Sequence, residues 1–470
     1  MPTADLNHQI DSQKNQIQSG SPKIEIIAPC ILHDGIIAIG SQEKVNLIEL
    51  FDSKEKELLF FIPASGSGSR MFEFLTSSVS DEIFEKDIKV LNFLNDLEHF
   101  AFYDDQISEA YSHWKNGDLS SRKLVNLIIA AEGKGFSKSP KGLIPFHQVD
   151  GKTLNGFQEH IVQGLMLGTD NVQYHFTIQE SFKHDFLSSL DELKKSYNKN
   201  YRVDFSFQNS LTDSFAFDDA LKPVQLENGQ FLKRPAGHGA LIENLNDLDQ
   251  QIVLIKNIDN IQHPDASQSS IEVWKTLCGL LMKVKSELHS LYNDPSLEGL
   301  LDFNTEYQLY TSVQLNINDD SESIRNLINR PLRICGMVQN EGKAGGGPFF
   351  VKDKEGSITK QIIEAVQISK EDTQQNILTE STHFNPVMMV LDLSDFDGNK
   401  HDLKQYRNDD CYFVVNKMYE GVEISFLELP GLWNGAMYNW NTLFVEVPIE
   451  TFTPVKTVLD LLDSKHQPIN

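Results

Sequence analysis

The chain has 470 residues, of which 40% are hydrophobic and 23% are charged, and its formal net charge is −26. This length suits one large domain with additions or two to three domains, and so much negative charge excludes nucleic acid and anionic membranes as expected partners. The four cysteines show no CxxC spacing, and neither a signal peptide nor a run of about 18 apolar residues occurs. We therefore expect a cytoplasmic protein without a disulfide framework, a zinc site or a transmembrane helix.

The first strand and the loop after it are the most informative local feature. Residues 1–22 are polar and predict a disordered tail, and residues 23–56 form a predicted N-terminal extension. The apolar run 58–62 predicts a buried strand, which leads into a Ser/Gly loop that ends in Arg70. Glycines let backbone N–H groups approach a ligand closely, and an Arg can hold phosphate oxygens. The loop is therefore either a phosphate cradle or only a tight connection.

The remaining elements favour an α/β fold. Apolar residues at three- and four-residue spacing predict a helical insertion at about 75–135, with a role as a lid or packing layer rather than in catalysis. The strand, helix and strand patterns that follow, at 172–178, 181–197 and 203–207, predict a mixed, mostly parallel sheet flanked by helices. We place an α/β core at 57–330, and the rest of its sheet with a β-rich C-terminal part at 331–470.

Three further segments have chemistry that complements the loop at 65–70. Lys141 adds a cation, the turn Gly237-His238-Gly239 lets backbone lie flat against a planar group, and Asp259 follows the buried strand 252–256. A carboxylate at the end of a strand can bind a hard divalent cation. Each also has a structural reading: a solvated lysine, a helix entry and a turn cap.

These segments, in this order, resemble the UDP-sugar pyrophosphorylase branch of the sugar nucleotidyltransferases, which have a GT-A-type fold. The motifs that carry the resemblance are Ser65-Gly66-Ser67-Gly68-Ser69-Arg70, Pro140-Lys141, Pro235-Ala236-Gly237-His238-Gly239 and Asp259-Asn260. The phrases RPAGHGALIENLNDLD, KNIDN and NEGKAGGGPFF more closely resemble an uncharacterised bacterial family, a domain of unknown function that is distantly similar to these enzymes. The chain departs from the usual pattern because 71 positions separate Arg70 from Lys141, so the insertion must return the chain to the loop.

The resemblance implies transfer of a nucleotidyl group from a nucleoside triphosphate, with UTP favoured, to a sugar 1-phosphate, with release of pyrophosphate. It implies catalytic roles for Arg70, Lys141 and Asp259, and binding of Mg²⁺ or Mn²⁺ by Asp259. The implied nucleotide-binding residues are Ser65, Gly66, Gly68, Ser69, Gly237, His238 and Gly239. The expected substrate-side residues are Gly345, Gly346, Asn385 and Lys417.

Two other functions remain open from the sequence. A protein of the same fold could bind a nucleotide or sugar nucleotide without catalysis, which Ser65 and the absence of a placeable second carboxylate favour. A GT-A glycosyltransferase would carry an Asp-x-Asp metal motif. The nearest strings, at 247–249 and 392–395, are not convincing, and the acids at 247–249 follow a predicted helix, where solvated acids are common. A P-loop kinase is disfavoured, since GxxxxGK[ST] is absent. The sugar and the oligomeric state are not determined by the sequence.

Overall fold

The computed structural model describes residues 3–168, 172–197, 199–340, 342 and 345–469. The chain divides into two compact units, each assembled from three separate segments. The first unit comprises 1–53, 207–254 and 276–447, and the second comprises 54–206, 255–275 and 448–470. Each unit is thus discontinuous in sequence, and the domain ranges expected from the sequence stay a prediction.

The strands are β1 (Glu25–Pro29), β2 (Ile31–Leu32), β3 (Gly35–Ile37), β4 (Leu58–Pro63), β5 (Pro145–Val149), β6 (Lys152–Asn155), β7 (Val172–Thr177), β8 (Tyr201–Ser206), β9 (Ser214–Phe215), β10 (Lys233–Arg234), β11 (Ile252–Ile255), β12 (Leu332–Gln339), β13 (Gly347–Lys352), β14 (Ile358–Ile363), β15 (His383–Phe384), β16 (Met389–Asp392), β17 (Phe413–Tyr419), β18 (Val422–Glu428) and β19 (Asn441–Glu446). The helices are α1 (Thr3–Ser19), α2 (Ser41–Ser53), α3 (Asp81–Phe84), α4 (Ile88–Asn95), α5 (Asp105–Lys115), α6 (Ser121–Ile129), α7 (Gly156–Leu165), α8 (Lys183–Ser196), α9 (Leu241–Asn246), α10 (Gln268–Asn293), α11 (Leu297–Tyr307), α12 (Ser321–Ile328) and α13 (Asp372–Thr379).

Parallel pairing dominates the main sheet, as the sequence predicted. In the second unit, β4, β7 and β8 lie side by side and run parallel. In the first unit, β2, β3, β19 and β12 are parallel neighbours, whereas β16 pairs with β12 in the antiparallel sense. The structure thus confirms a mixed α/β fold with a mostly parallel sheet flanked by helices.

Residues before the first core strand contribute to the first unit instead of standing apart from it. Strand β1 pairs with β13, and β3 pairs with β19. Helix α1 occupies most of the range for which the sequence predicted a disordered tail. Its Ile17 is buried with Phe215, Phe217 and Leu427, and the Gln13 side chain accepts a hydrogen bond from the Phe215 N–H. The polar composition of the segment hides this amphipathic contact, because a few apolar side chains are enough to fix a helix on a core.

Helices α3 to α6 lie in the range of the predicted insertion and form a packing layer of the second unit. Their buried side chains form one hydrophobic cluster with side chains from later parts of the chain, among them Ile144, Phe146, Val455 and Val458. The 3₁₀ turn Val458–Leu462 belongs to the same cluster. Among the described residues, no helix is both long enough and apolar enough to cross a membrane.

Candidate functional site

A cluster of two lysines around one buried aspartate lies in the second unit. Lys141 Nζ is 3.0 Å from Asp259 Oδ2, and Lys456 Nζ is 2.9 Å from the same oxygen. Lys141 also donates to the Val455 carbonyl oxygen at 2.9 Å. The side chains of Lys141 and Asp259 are only 13% and 11% exposed, whereas that of Lys456 is 60% exposed. One cation is thus held in place by burial, and the other can swing toward solvent or a ligand.

The Ser/Gly loop after β4 packs directly against the segment that carries Lys141. The Gly68 N–H donates to the Ser139 carbonyl at 2.8 Å, and the Lys141 N–H donates to the Gly66 carbonyl at 3.0 Å. A Cβ on Gly68 would lie 2.9 Å from the Ser139 oxygen and 2.4 Å from Ile144 Cδ1, so only glycine permits this approach. The insertion therefore returns the chain to the loop despite the 71-residue separation.

The loop offers a ligand fewer free backbone donors than the sequence indicated. The Gly68 N–H is bound to Ser139, and the Ser69 N–H donates to Ser67 Oγ at 3.1 Å, which caps the 3₁₀ helix Gly68–Leu75. Gly66 is exposed, with nothing within 4 Å of the position a Cβ would take. The Ser65 carbonyl accepts a hydrogen bond from Gln179 Nε2. The exposed backbone of Gly66 is therefore the part of this loop that stays accessible to a phosphate.

Arg70 is the free cation of this loop. Its side chain is exposed and, within the part of the chain that the structure describes, makes neither a hydrogen bond nor an ion pair. An uncommitted guanidinium keeps all of its donors available for a bidentate contact with phosphate. Arg70 therefore complements the two lysines, whose ammonium groups are already bound to Asp259.

The charge balance of the cluster favours an anionic ligand. Burial raises the pKa of Asp259, but the positive charges of Lys141 and Lys456 outweigh it and lower the pKa below its ordinary value. Asp259 is therefore ionised at neutral pH, and the two lysines and one aspartate carry a net charge of +1. This local positive charge contrasts with the −26 of the whole chain.

Lys456 is the residue that the sequence reasoning missed. It lies 197 positions from Asp259 and belongs to no motif, so only the fold could reveal it. Its segment is fixed by backbone contacts: the Val455 N–H donates to the Asp259 carbonyl at 2.8 Å, and the Thr453 N–H donates to Asn260 Oδ1 at 3.0 Å. Asn260 therefore orients the segment that supplies the second lysine.

A buried chain of titratable side chains holds the same segment from the other side. Glu159 Oε1 lies 2.9 Å from His147 Nδ1, His147 Nε2 lies 3.0 Å from His466 Nδ1, and His466 Nε2 lies 3.1 Å from the Thr453 carbonyl oxygen. Burial lowers the pKa of His147 to about 3 and that of His466 to about 4, and it raises the pKa of Glu159 to about 8. All four residues belong to the second unit, and the imidazoles are neutral at pH 7.

The turn Gly237–Gly239 lies in the first unit and is packed against a later loop. Gly237 has φ +72°, and a Cβ on Gly239 would lie 2.2 Å from the Pro430 carbonyl oxygen. The His238 ring stacks on Trp433 with centroids 4.4 Å apart, and its Nδ1 accepts from the Leu432 N–H at 3.0 Å. Burial lowers the pKa of His238 to about 4. The contacts of Gly239 are those of close backbone packing, while a base-binding role for the turn stays a prediction.

The four expected substrate-side residues also lie in the first unit and have different surroundings. Asn385 is buried: it donates through Nδ2 to the Gly336 carbonyl and accepts through Oδ1 from the Val387 N–H. The Gly346 carbonyl accepts from the Asn385 N–H, and a Cβ on Gly345 would collide with the Phe384 ring. Lys417 is exposed on β17. Asn385 is thus committed to the backbone, whereas Gly345 and Lys417 are exposed.

The residues at Asp259 allow one protein ligand for a divalent cation. No group of three or more His, Cys, Asp or Glu side chains suited to a metal occurs among the described residues. Both lysines bind Asp259 Oδ2, which leaves Oδ1 without a protein partner in that part of the chain. Mg²⁺ is commonly held by one or two carboxylates together with substrate phosphates and water. Asp259 supplies one carboxylate of that kind, and cation binding by it stays a prediction. Asp392 is a poor alternative, since Lys285 binds its Oδ1 at 3.1 Å.

The model of the DUF4301 family, described as a domain of unknown function, matches residues 4–467, so the chain belongs to that family. No curated protein matches the sequence.

Three solved structures illustrate what the fold is similar to. A UDP-glucose phosphorylase from Trypanosoma brucei is 14% identical, with a TM-score of 0.47 and coverage of 99% of this chain and 78% of that one. A mutant UDP-glucose pyrophosphorylase from Leishmania major, in complex with UDP-glucose, is 12% identical, with a TM-score of 0.45 and coverage of 97% and 74%. An inositol-1-phosphate CTP transferase from T. maritima is 7% identical, with a TM-score of 0.34 and coverage of 88% and 94%.

Proposed function

We propose that this member of the DUF4301 family transfers a nucleotidyl group from a nucleoside triphosphate to a sugar 1-phosphate and releases pyrophosphate. The observation that supports this most is the cluster of Lys141, Asp259 and Lys456 beside the loop that carries Arg70. UTP is the favoured donor because Pro235–Gly239 resembles the base-binding segment of UDP-sugar pyrophosphorylases.

The reaction needs positioning and charge neutralisation rather than covalent help from the protein. An oxygen of the sugar phosphate attacks the α-phosphorus, and the bond from that phosphorus to the oxygen bridging to the β-phosphorus breaks. Lys141, which is fixed by burial and by Val455, would hold the α-phosphate or the sugar phosphate. Lys456 and Arg70, which are exposed, would bind and neutralise the negative charge that develops on the departing pyrophosphate.

A divalent cation, Mg²⁺ or Mn²⁺, would be held by Asp259 and would neutralise phosphate charge when bound. Substrate phosphates would then draw the exposed Lys456 away from Asp259, while Lys141 keeps its place. Asp259 therefore has two functions in the proposal: it orients both lysines before substrate binds, and it provides the protein ligand for the cation afterwards.

A second candidate is a nucleotide-binding protein of the same fold without catalysis. The observation in its favour is that the N–H groups of Gly68 and Ser69, expected to bind phosphates, are used within the protein. Such a protein would bind the nucleotide through Arg70 and the lysines, and it would release no pyrophosphate.

The test is pyrophosphate release from each nucleoside triphosphate with a panel of sugar 1-phosphates and Mg²⁺. Lys141→Ala, Asp259→Asn and Arg70→Ala should each lower turnover at least a hundredfold. Lys86→Ala is the matched control, because Lys86 forms an exposed ion pair with Glu82 elsewhere in the second unit. Nucleotide binding without pyrophosphate release for any sugar phosphate would favour the second candidate. Full turnover in the three variants would refute the assignment of these residues.

A further inference from the structure

A small cavity in the first unit is lined by cations and neutral donors instead of acids. It lies at the amino ends of the parallel strands β12 and β19, where Leu332 pairs with Asn441. The enclosed part of this cavity is only ≈ 20 Å³, and the free space with the open mouth included is ≈ 310 Å³, so an ion larger than water would lie at the mouth. Ligands of open α/β sheets bind at the carboxyl ends of strands, so this cavity is not the crevice expected for substrate. The lining residues used below are Tyr310, Arg330, Lys360, Gln361, Trp440 and Thr442.

Two buried cations at this cavity have no carboxylate partner among the residues that the structure describes. Arg333 is fully buried behind its wall and donates to Thr442 Oγ1 at 2.8 Å, to the Trp433 carbonyl at 2.8 Å and to Gln361 Oε1 at 3.4 Å. Lys360 is 4% exposed and donates to the backbone carbonyls of Gln308 and Gly35. All of these acceptors are neutral. Arg333 and Lys360 therefore leave positive charge here that no neighbouring carboxylate of the described residues balances. Burying a charge without a counter-charge is strongly unfavourable.

A third cation lines the cavity with no partner. Arg330 is half-buried, and its guanidinium forms no hydrogen bond or ion pair with any residue that the structure describes. Its charge acts on the Tyr310 hydroxyl, where it opposes the rise in pKa that burial causes. The negative charge of Asp34 acts on Lys360, but Asp34 is exposed and forms no ion pair with Lys360.

Two donors that line the cavity are also unsatisfied. The Tyr310 hydroxyl and the Trp440 Nε1 are both buried and have no hydrogen-bond partner in the described part of the chain. Each residue is only 5% exposed. Buried polar groups nearly always have a partner, and exceptions often mark a ligand or ion that completes the site. An anion that accepts hydrogen bonds would satisfy both donors and balance the buried charges.

We propose that this cavity is a binding site for a small oxyanion of the phosphate class, held by Arg330 with Tyr310 and Trp440 and balanced by Lys360 and Arg333. The site is independent of the proposed catalytic cluster, since none of its residues is used there. A ligand bound at this place links Arg330, which precedes β12, to Trp440, which precedes β19. Free phosphate and a phosphate ester share the chemistry that this site recognises.

The experiment titrates inorganic phosphate into the Arg70→Ala/Lys456→Ala double variant, in which phosphate binding at the other cluster is weakened. Tryptophan fluorescence is the readout, and Trp440→Phe identifies the part of the signal that comes from the cavity. We expect a saturable change that Trp440→Phe removes, and a dissociation constant raised at least tenfold by Arg330→Gln. Arg407→Gln is the matched control, since Asp409 already balances Arg407 in the same unit.

Tyr310→Phe keeps the proposal falsifiable if Arg330→Gln fails to fold, because it removes only one hydroxyl group. It should raise the dissociation constant severalfold. Glucose 1-phosphate in place of phosphate distinguishes an esterified ligand from the free ion by its relative affinity. The absence of a saturable response to both probes, or unchanged affinity in both variants, would overturn the proposal.

Discussion

Lys456→Ala separates nucleotide binding from stability. The Lys456 side chain is 60% exposed and forms an ion pair with Asp259. Exposed ion pairs contribute under ~1 kcal/mol, so the free energy of unfolding should change by no more than that. Lys141 still balances Asp259 after the substitution, which further limits the cost.

The effect on nucleotide affinity should be larger than the effect on stability. A hydrogen bond between an ammonium group and a phosphate contributes about 1.5–3 kcal/mol, and the loss of the Asp259 contact on binding offsets part of that gain. A net loss of about 1.5 kcal/mol corresponds to about a tenfold weaker dissociation constant for UTP. Isothermal titration calorimetry measures the affinity, and urea denaturation measures the stability. An unchanged affinity for UTP in Lys456→Ala would refute the reasoning, provided that the control Lys86→Ala also binds normally.

Three further predictions concern the structure around the candidate residues. Asp259→Asn should lower the free energy of unfolding by about 3 kcal/mol, because it leaves Lys141 buried without a carboxylate. Gly239→Ala should cost about 2 kcal/mol or more, because its Cβ would lie 2.2 Å from the Pro430 carbonyl oxygen. Protonation of the buried histidines in the unfolded chain should lower stability between pH 7 and pH 5. Glu159, whose folded pKa is about 8, opposes this loss, to which His147 alone should contribute about 2 kcal/mol. The folded pKa of His147 is about 3, below the ordinary 6.5, so its contribution is complete above pH 6.5 and is lost as the pH falls toward 3.

Urea denaturation checks all three, each with its own control. Asp81→Asn removes an exposed acid of the second unit and should change stability by less than about 0.5 kcal/mol, as should Gly66→Ala, where a Cβ meets nothing within 4 Å. His147→Gln should reduce the loss of unfolding free energy between pH 7 and pH 5 by about 2 kcal/mol. Equal stability of Asp259→Asn and Asp81→Asn would contradict the buried pair. A pH response that is the same with and without His147 would contradict the buried neutral imidazole.

The sequence predicts the elements of the fold well, because the signals are local. The apolar run before Ser65, the order of strands and helices after it, and the return of the chain to Lys141 all agree with the structure. The helix Thr3–Ser19 did not follow from the sequence, since its few apolar contacts are hidden in a polar composition.

The residues of the candidate site likewise include some that the sequence predicted and some that only the structure revealed. Motif residues such as Lys141 and Asp259 could be named because each lies in a segment with a recognisable pattern. Lys456 could not, because its place beside Asp259 depends on contacts 197 positions apart. The occupied N–H groups of Gly68 and Ser69 also required the structure, since a Gly-rich loop has the same sequence whether its donors face a ligand or the protein.

The most direct test of the central claim is pyrophosphate release by the wild-type protein with UTP, a panel of sugar 1-phosphates and Mg²⁺. The account predicts release that depends on both substrates, and at least a hundredfold loss in Lys141→Ala while Lys86→Ala keeps the wild-type rate. No release with any nucleoside triphosphate and sugar phosphate, from protein that binds UTP, would contradict the proposed transfer reaction.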